Sequence, residues 1–406
     1  MKQIQGGVCA AKGFSANGVH CGIRPTKTKK DLALILSSVP CTAAGVFTTN
    51  LVKGAPGVLC QNRLKGGKVR AVICNSGIAN TCNADGMEKA EGMAAICAKE
   101  AGLLPEQVLV ASTGVIGQKL PLEPIADGMA GLYAGLTATP EGSDAAEAAI
   151  MTTDTVPKSA AVTFEIQGHT CALGGIAKGS GMIHPNMATM LVFLTTDCAV
   201  SSEMLQKALS TDVQNTFNMT SVDGDTSTND TCVILSSGLA GNPEIVSEDE
   251  DFAVFMQALN SVTVALCRQI AGDGEGATKL LECRVRGALD DLTAKKTAKS
   301  VICSSLVKAA MFGEDANWGR ILCAIGYAGV EVDVSKIDVA FASDRGTVTV
   351  CEMGSGVDFS EEKAKQILLE KEIDILINLN SGNQSATAWG CDLTYDYVKI
   401  NGDYRT

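Results

Sequence analysis

The chemistry of this chain is concentrated around a threonine. The stretch Lys178-Gly-Ser-Gly-Met-Ile-His-Pro-Asn-Met-Ala-Thr-Met-Leu191 runs from small, turn-forming residues into an apolar segment ending at Leu194, and Thr189 stands at the junction. A β-branched residue opens many strands for steric reasons alone, yet a hydroxyl at the end of a glycine-rich approach is also where a nucleophile is exposed. Ser180 and His184 share the loop but form no G-x-S-x-G elbow, so a serine–histidine hydrolase fits poorly. A threonine without a histidine needs an unusual base. One chemical solution is its own α-amino group, freed by cleavage just before it.

Three other stretches carry polar chemistry. Ser112-Thr113-Gly114 follows an apolar strand, where backbone N–H groups either face a ligand as in an oxyanion hole or merely turn the chain. Asn75-Ser-Gly-Ile-Ala-Asn80 follows the Val69 strand and suits a binding loop or an ordinary strand exit. The loop Ala271-Gly-Asp-Gly-Glu-Gly-Ala-Thr-Lys279 resembles a phosphate loop but lacks the Gly-Lys-Ser/Thr ending. Asp273 and Glu275 would repel phosphate, so a substrate ammonium is the better match, with a solvated acidic turn as the alternative. No metal centre is expected, because His20, His169 and His184 form no H-E-x-x-H or H-x-E pattern and the closest cysteines, Cys74 and Cys82, are not a C-x-x-C pair.

The elements that must position these residues alternate. Strands are expected at Asp31–Leu36, Ala43–Phe47, Val58–Cys60 and Val69–Cys74, then a helix at Asp85–Ala101 with Asp85 as N-cap and Gly102 as its stop. Gln107–Ala111 reads as a strand, Pro121–Ala138 and Ser143–Met151 as helices, and Ala160–Ile166 with Thr170–Ile176 as a hairpin closed at Gln167-Gly168-His169. Helices follow at Met204–Phe217, Asp251–Ile270 and Thr297–Phe312, and strands at Cys232–Ser236 and Leu281–Val285, with Thr220–Thr231 as a polar loop. The C-terminal stretch from Ser385, rich in Tyr and containing Trp389, is expected to dock rather than trail. One integrated α/β body of two subdomains results.

Composition narrows the function classes. The chain has 406 residues, 46% of them hydrophobic, and a formal charge of -12, so it folds and carries no electrostatic footprint for nucleic acid or an anionic membrane. Short basic groups at Lys27, Lys29 and Lys30 and at Lys295, Lys296 and Lys299 read as solvated faces. The sixteen cysteines are spread evenly and the N-terminus has no apolar signal core, so they read as reduced core residues of a soluble, cytoplasmic protein. No apolar run is long enough to span a bilayer.

Taken in order, the motifs resemble one family over the whole chain, the ornithine acetyltransferases of arginine biosynthesis, also called glutamate N-acetyltransferases. The resemblance runs through Ala44-Gly-Val-Phe-Thr-Thr-Asn50, Asn75-Ser-Gly, Ser112-Thr-Gly-Val-Ile-Gly117, Thr152-Thr-Asp-Thr155, the Lys178–Leu191 stretch, Gly224-Asp-Thr-Ser-Thr-Asn-Asp230, Asp273-Gly-Glu-Gly-Ala-Thr-Lys279, Gly313-Glu-Asp-Ala-Asn-Trp-Gly-Arg320 and Trp389 to Thr406. It departs at Ile78, where many members have Asn. It implies self-cleavage between Ala188 and Thr189 into an α chain, 1–188, and a β chain, 189–406, that assemble as an α2β2 heterotetramer. It also implies an α/β sandwich with a smaller second α/β domain, with chemistry like that of N-terminal-nucleophile enzymes but a distinct topology.

The implied reaction is ping-pong transfer of acetyl from N2-acetylornithine to glutamate through Thr189. Thr113 and Gly114 match the family's oxyanion-hole pair, and Thr152, Lys178, Thr189, Glu275, Asn401 and Thr406 its substrate-contacting positions. On charge, Lys178 is expected to meet a substrate carboxylate and Glu275 the side-chain ammonium of ornithine. Gly179 and Gly181 are expected to permit the backbone bend that brings Thr189 to the carbonyl of Ala188. No cofactor is implied, although acetyl-CoA stays open as a second donor. Two further readings are a threonine amidohydrolase or aminopeptidase, in which water replaces glutamate, and an inert binding protein that keeps the fold.

Overall fold

The computed structural model describes residues 1–26, 29–184 and 190–403. Thr189, Ala188, Thr406 and Lys27 therefore lie outside the described residues. Among those described, strands β1 (Lys2–Ile4), β2 (Phe14–Val19), β3 (Leu32–Phe47), β4 (Val69–Ile78), β5 (Val108–Val115), β6 (Lys158–Ile166), β7 (His169–Lys178) and β8 (Leu191–Thr196) join one sheet. A two-residue strand, β9 (Thr220–Ser221), opens a second sheet, and β10 (Thr231–Ser236) returns to the first. The remaining strands, β11 (Leu280–Ala288), β12 (Asp338–Ser343), β13 (Gly346–Glu352), β14 (Ser355–Gly356), β15 (Glu372–Asn378) and β16 (Gln384–Cys391), complete the second sheet. The mixed α/β class with two sheets is as expected.

The first sheet runs β1-β6-β7-β8-β10-β3-β4-β5, with β2 also paired to β3. Two features place chemistry in its centre. β8 and β10 lie parallel and in register from Leu191↔Thr231 to Thr196↔Ser236, inserted between β7 and β3. β4 and β5 are parallel through Gly77↔Gly114 and Ile78↔Val115, so the strand exits carrying Asn75–Ile78 and Ser112–Val115 lie side by side. Asn75-Ser-Gly-Ile is thus strand rather than loop: the ladder to β5 continues where the polar residues had pointed to an exit.

Both faces of the sheet are buried. In β8, Leu191 and Phe193 join a core with helices α1 (Ala55–Arg63), α2 (Gly86–Ala101), α3 (Glu123–Ala134) and α4 (Pro140–Ile150), while Val192 and Leu194 join another. That second core contains α5 (Ser202–Val213), α6 (Glu250–Gly272) and the second sheet. Alternation of side chains across a strand buried on both faces is why Met190–Leu194 reads as an unbroken apolar run. α6 packs on β6 and β7 and also on β11 and β16, tying the sheets together.

Four local expectations are corrected. Val58–Cys60 is helical within α1, entered at Gly54 with Pro56 in the first turn, because three apolar residues cannot set a period. Leu32–Phe47 is one strand whose register shifts between Leu36 and Cys41, and Arg70 covers the irregularity by donating to the Ser37 and Ser38 carbonyls. Thr297–Phe312 is two helices, α7 (Asp291–Cys303) and α8 (Ser305–Phe312), divided at Ser304, whose hydroxyl accepts from Val307 N and caps the second. Asp85 stands at the start of α2 without a capping bond from its side chain. The hairpin at Gln167-Gly168 is as expected, with both residues at positive φ (47° and 81°), as a two-residue turn requires.

All sixteen cysteines are free, most of them buried. Among the described residues no helix is long and apolar enough to cross a membrane.

Phe193, 2% exposed in a strand covered on both faces, tests the first sheet's packing. Truncation by Phe193→Ala is expected to lower stability by about 3–5 kcal/mol, read as the shift in urea unfolding. A loss below about 1 kcal/mol would mean that β8 is not packed as described.

Candidate active site

The site begins at the paired ends of β4 and β5. Gly114 has φ +132°, and a Cβ there would lie 2.2 Å from the carbonyl carbon of Gly77, so no other residue fits. Thr113, just before it, accepts a hydrogen bond at 3.1 Å from Nζ of Lys178, the last residue of β7. Asn229, preceding β10, holds this corner by donating to the Ala79 carbonyl at 2.6 Å and the Ser112 carbonyl at 2.9 Å, while its amide oxygen accepts from Thr81 and Thr228. Sequence reasoning gave Asn229 no role, since its partners other than the adjacent Thr228 lie more than a hundred residues away.

A buried ion cluster sets the opposite wall. Lys158 Nζ lies 2.8 Å from Asp154 and 2.5 Å from Asp273, with all three side chains at 5% exposure or less. Asp154 also accepts from Gly179 N at 2.7 Å and Thr152 N at 2.9 Å, and Asp273 accepts from Thr155 N at 3.0 Å. Asp273 is therefore spent on Lys158 and the 155–156 backbone and does not await a substrate ammonium, a correction to its expected role. Ser180 Oγ donates to the Asp273 carbonyl at 2.7 Å, and Glu275 N donates to the Ser180 carbonyl at 3.0 Å, so the acidic loop and the glycine-rich loop are stitched together.

Gly181 owes its identity to that stitching. A Cβ at 181 would sit 2.3 Å from the Glu275 carboxyl carbon, whereas neither Gly179 nor Gly181 has a positive φ. The loop does bend across 180–182, its left-handed residue being Met182 at φ 56°, while the expected approach of Thr189 to Ala188 lies outside the described residues. Glu275 in turn accepts from Asn401 Nδ2 at 2.7 Å, and Asn401 belongs to α11 (Tyr395–Gly402), the ninth and tenth helices being α9 (Trp318–Gly326) and α10 (Glu361–Leu368). Thr394 anchors α11 by donating to the Gly276 carbonyl at 2.7 Å, so the C-terminal stretch does dock.

These residues enclose a cavity of about 290 Å³ lined by Thr113, Gly114, Thr152, Lys178, Glu275 and Asn401, with Gly181, Met190 and Asp230 also on its walls. Every described residue singled out from the family resemblance reaches it. His184 and Ser180 do not meet: Nδ1 of His184 is 3.1 Å from Ser221 Oγ and 3.5 Å from Cys303 Sγ, and burial and Lys299 push its pKa down to about 4. Lys299 itself is half-buried, with its pKa lowered by burial to about 8, so it is not part of a solvated face.

The charges balance locally. Burial pushes the Lys178 ammonium down, opposed chiefly by Asp154. Burial alone would raise Asp154, but Lys178 and Lys158 outweigh it and hold the carboxyl at about 2. Asp230, 1% exposed, is raised well above its ordinary value by burial; no donor among the described residues meets its oxygens at full hydrogen-bond geometry, though the Thr48 and Ser227 hydroxyls oppose the shift. Its position before an apolar strand was a weak signal, and its burial was invisible in sequence. No group of His, Cys, Asp and Glu among the described residues could hold a metal ion.

A family model described as the ArgJ family matches residues 15–406. The arginine biosynthesis bifunctional protein ArgJ of Symbiobacterium thermophilum is 51% identical over 408 residues, covering all of both chains. Among solved structures, the arginine biosynthesis bifunctional protein argJ of Bacillus halodurans is 48% identical with a TM-score of 0.50, covering 52% of this chain and 98% of that one. An ornithine acetyltransferase complexed with ornithine, from Mycobacterium tuberculosis, is 39% identical with a TM-score of 0.43, covering 45% of this chain and 96% of that one.

Removing one member of the ion cluster should be worse than removing its charges together. Lys158→Met is expected to cost about 3–5 kcal/mol by leaving Asp273 without its ammonium and Asp154 with Lys178 alone, and Asp154→Asn with Asp273→Asn in that background to recover part of it, measured by urea unfolding. Because the Asp154 pKa is depressed, its contribution is complete above the unfolded carboxyl value of about 3.9 and is lost as pH falls toward about 2.

Proposed function

The chain belongs to the ArgJ family, and from that premise we propose that it carries the acetyl group of N2-acetylornithine to glutamate through an acetyl ester on Thr189, as an acetyltransferase of arginine biosynthesis. The observation that carries the reading is the convergence of Thr113, Gly114, Thr152, Lys178, Glu275 and Asn401, from five separate stretches, on one cavity. Met190, which follows Thr189 in the chain, lines the same cavity.

In this reading the precursor cleaves itself at Ala188-Thr189, leaving chains 1–188 and 189–406. The match of one relative's nearly complete chain to about half of this one fits a protein that matures in two pieces. The freed α-amine, with a reference pKa of about 8, takes the Thr189 hydroxyl proton as the oxygen attacks the acetyl carbonyl. Thr113 and Gly114 stabilise the tetrahedral oxyanion, the proton passes to the departing α-amine of ornithine, and the acetyl ester remains. Glutamate then attacks with its α-amine, its proton returns to the Thr189 oxygen by way of the α-amine, and N-acetylglutamate leaves.

Lys178 meets the α-carboxylate of the substrate, and Glu275, steadied by Asn401, meets the side-chain ammonium of ornithine. Thr152 and Thr406 complete the substrate contacts. No cofactor takes part. The relatives' designation as bifunctional supports acetyl-CoA as a second donor to glutamate, which would also start the pathway. The mature enzyme is an α2β2 heterotetramer acting in the cytoplasm.

Denaturing gel electrophoresis of purified protein is expected to give two bands, with the second chain beginning at Thr189, and Thr189→Ala a single inactive chain. An uncleaved wild type with full activity would sink the mechanism. Acetylornithine supplied with glutamate should give N-acetylglutamate; release of free acetate instead would favour the amidohydrolase. For Glu275→Gln, loss of a charged hydrogen bond worth about 1.5–3 kcal/mol predicts a ten- to hundred-fold rise in the KM for acetylornithine.

A further inference from the structure

The proposed function leaves a contradiction between the two substrates. Ornithine ends in an ammonium and glutamate in a carboxylate, yet Glu275 presents the same charge to both. A carboxylate placed against the buried Glu275 is repelled, and the Asn401 amide that faces Glu275 already donates to it at 2.7 Å.

A second cavity, of about 520 Å³, adjoins the first. Gly114, Thr152 and Thr153 line both. Its charged lining is of the opposite sign: Lys29 and Arg24 belong to it, and neither Glu275 nor any other carboxylate does. Both cations reach the ridge between the cavities. The Arg24 guanidinium donates to the Met151 carbonyl, and Lys29 Nζ lies 3.5 Å from the Thr152 carbonyl, a distance long for an ammonium hydrogen bond. The acid of the same segment, Asp31, is fully buried and bound by the backbone N–H groups of Cys21, Gly22 and Arg24 and by His20, so it is held in the fold rather than set among the cavity's lining groups. The stem of Arg24 lies against Gly77, where a Cβ would come within 2.9 Å of its Cγ; Gly77 is the strand partner of Gly114. The cationic pocket is thus built directly onto the proposed oxyanion corner.

We propose that the side-chain carboxylate of glutamate is received in this second cavity by Lys29, with Arg24 behind it, across the Thr152–Thr153 ridge from Glu275. This rests on the acetyl-transfer reading and deepens it: both substrates share Lys178 for the α-carboxylate and Gly114 for the acyl oxygen, and diverge beyond Thr152 according to charge. The two halves of the ping-pong cycle then use different subsites for the distal group. One acyl centre serves both amino acids because neither distal charge enters the other's subsite.

Lys29 is exposed, and its replacement disturbs no core packing. In cleaved Lys29→Glu enzyme, acetyl-enzyme formation from acetylornithine alone, followed by intact mass and ornithine release, is expected to proceed at the wild-type rate. The KM for glutamate in the second half-reaction is expected to rise at least about ten-fold, as reversing a charge at a carboxylate contact requires, with Lys29→Arg close to wild type. Equal effects on both half-reactions, or none on either, would overturn the proposal. So would an effect confined to acetyl-CoA as donor, which would assign the cations to that donor's phosphates. A wild-type enzyme that forms no acetyl-enzyme from acetylornithine would instead overturn the acetyl-transfer reading itself. Arg24→Gln, checked for an unchanged unfolding midpoint, should shift the glutamate KM in the same direction as Lys29→Glu.

Discussion

The buried ammonium of Lys158 between Asp154 and Asp273 is the interaction on which the site depends. Alone, none of these charges would be tolerated without water, since each costs several kcal/mol to desolvate. Together they satisfy one another and leave oxygens over for backbone N–H groups of Thr152, Thr155 and Gly179. The consequence is geometric. Three segments that carry Thr152, Lys178 and Glu275, far apart in the chain, are referred to one charged point, and the Ser180 bonds to the Asp273 and Glu275 backbone carry that reference to the glycine-rich loop. An apolar cluster of the same volume would fill the space but would not fix loops by direction, because dispersion contacts have none.

The same economy governs the break proposed after Ala188. The first sheet takes β7 from before that bond and β8 and β10 from after it, with β10 paired to β3. Severing one peptide bond therefore removes none of these ladder hydrogen bonds and exposes none of Val192, Phe193, Val233 or Ile234, which are buried to 2% exposure or less. Chains 1–188 and 189–406 are not the two sheets. They interleave within one of them, which is a sufficient physical reason for two products to remain a single body.

What was legible in the sequence follows from range. Periodic or turn-encoded elements were readable because their cause is local: the Gln167-Gly168 hairpin, the helix closed by Gly102 and the long helix at Glu250–Gly272. Val58–Cys60 failed because three residues do not define a period, and Asn75–Ile78 because its strand character comes from β5, not from its own side chains. The described positions carried by the family resemblance converge on one cavity. Their supports did not show: Lys158 and Asn229 look like surface residues until partners from 115 and 117 positions away arrive. Asp273 was misjudged for the same reason, its charge being cancelled by a lysine that no spacing rule connects to it. Gly181 was singled out for a backbone bend, and the structure adds a constraint that sequence could not show, a carboxylate that would lie 2.3 Å from a Cβ there.

The walls of the cavity differ in what it would cost to move them. Gly114 sits in a ladder between buried strands, against Gly77 at a separation that admits no side chain, so the proposed oxyanion corner can shift only with the sheet. Asn401 lies on a two-turn helix with no buried residue, held by the Thr394 bond to Gly276, a contact of Tyr397 with Asp223 at 3.3 Å and its own bond to Glu275. Elements with few buried contacts open at low free energy, while core strands open only with global unfolding. A ping-pong transferase needs that division, because the acyl centre must stay fixed while one amino acid leaves and another enters. In the proposed mechanism the rigid wall is the one assigned to stabilising charge in the transition state, and the loosely held wall is the one that can yield at low free energy as substrates exchange.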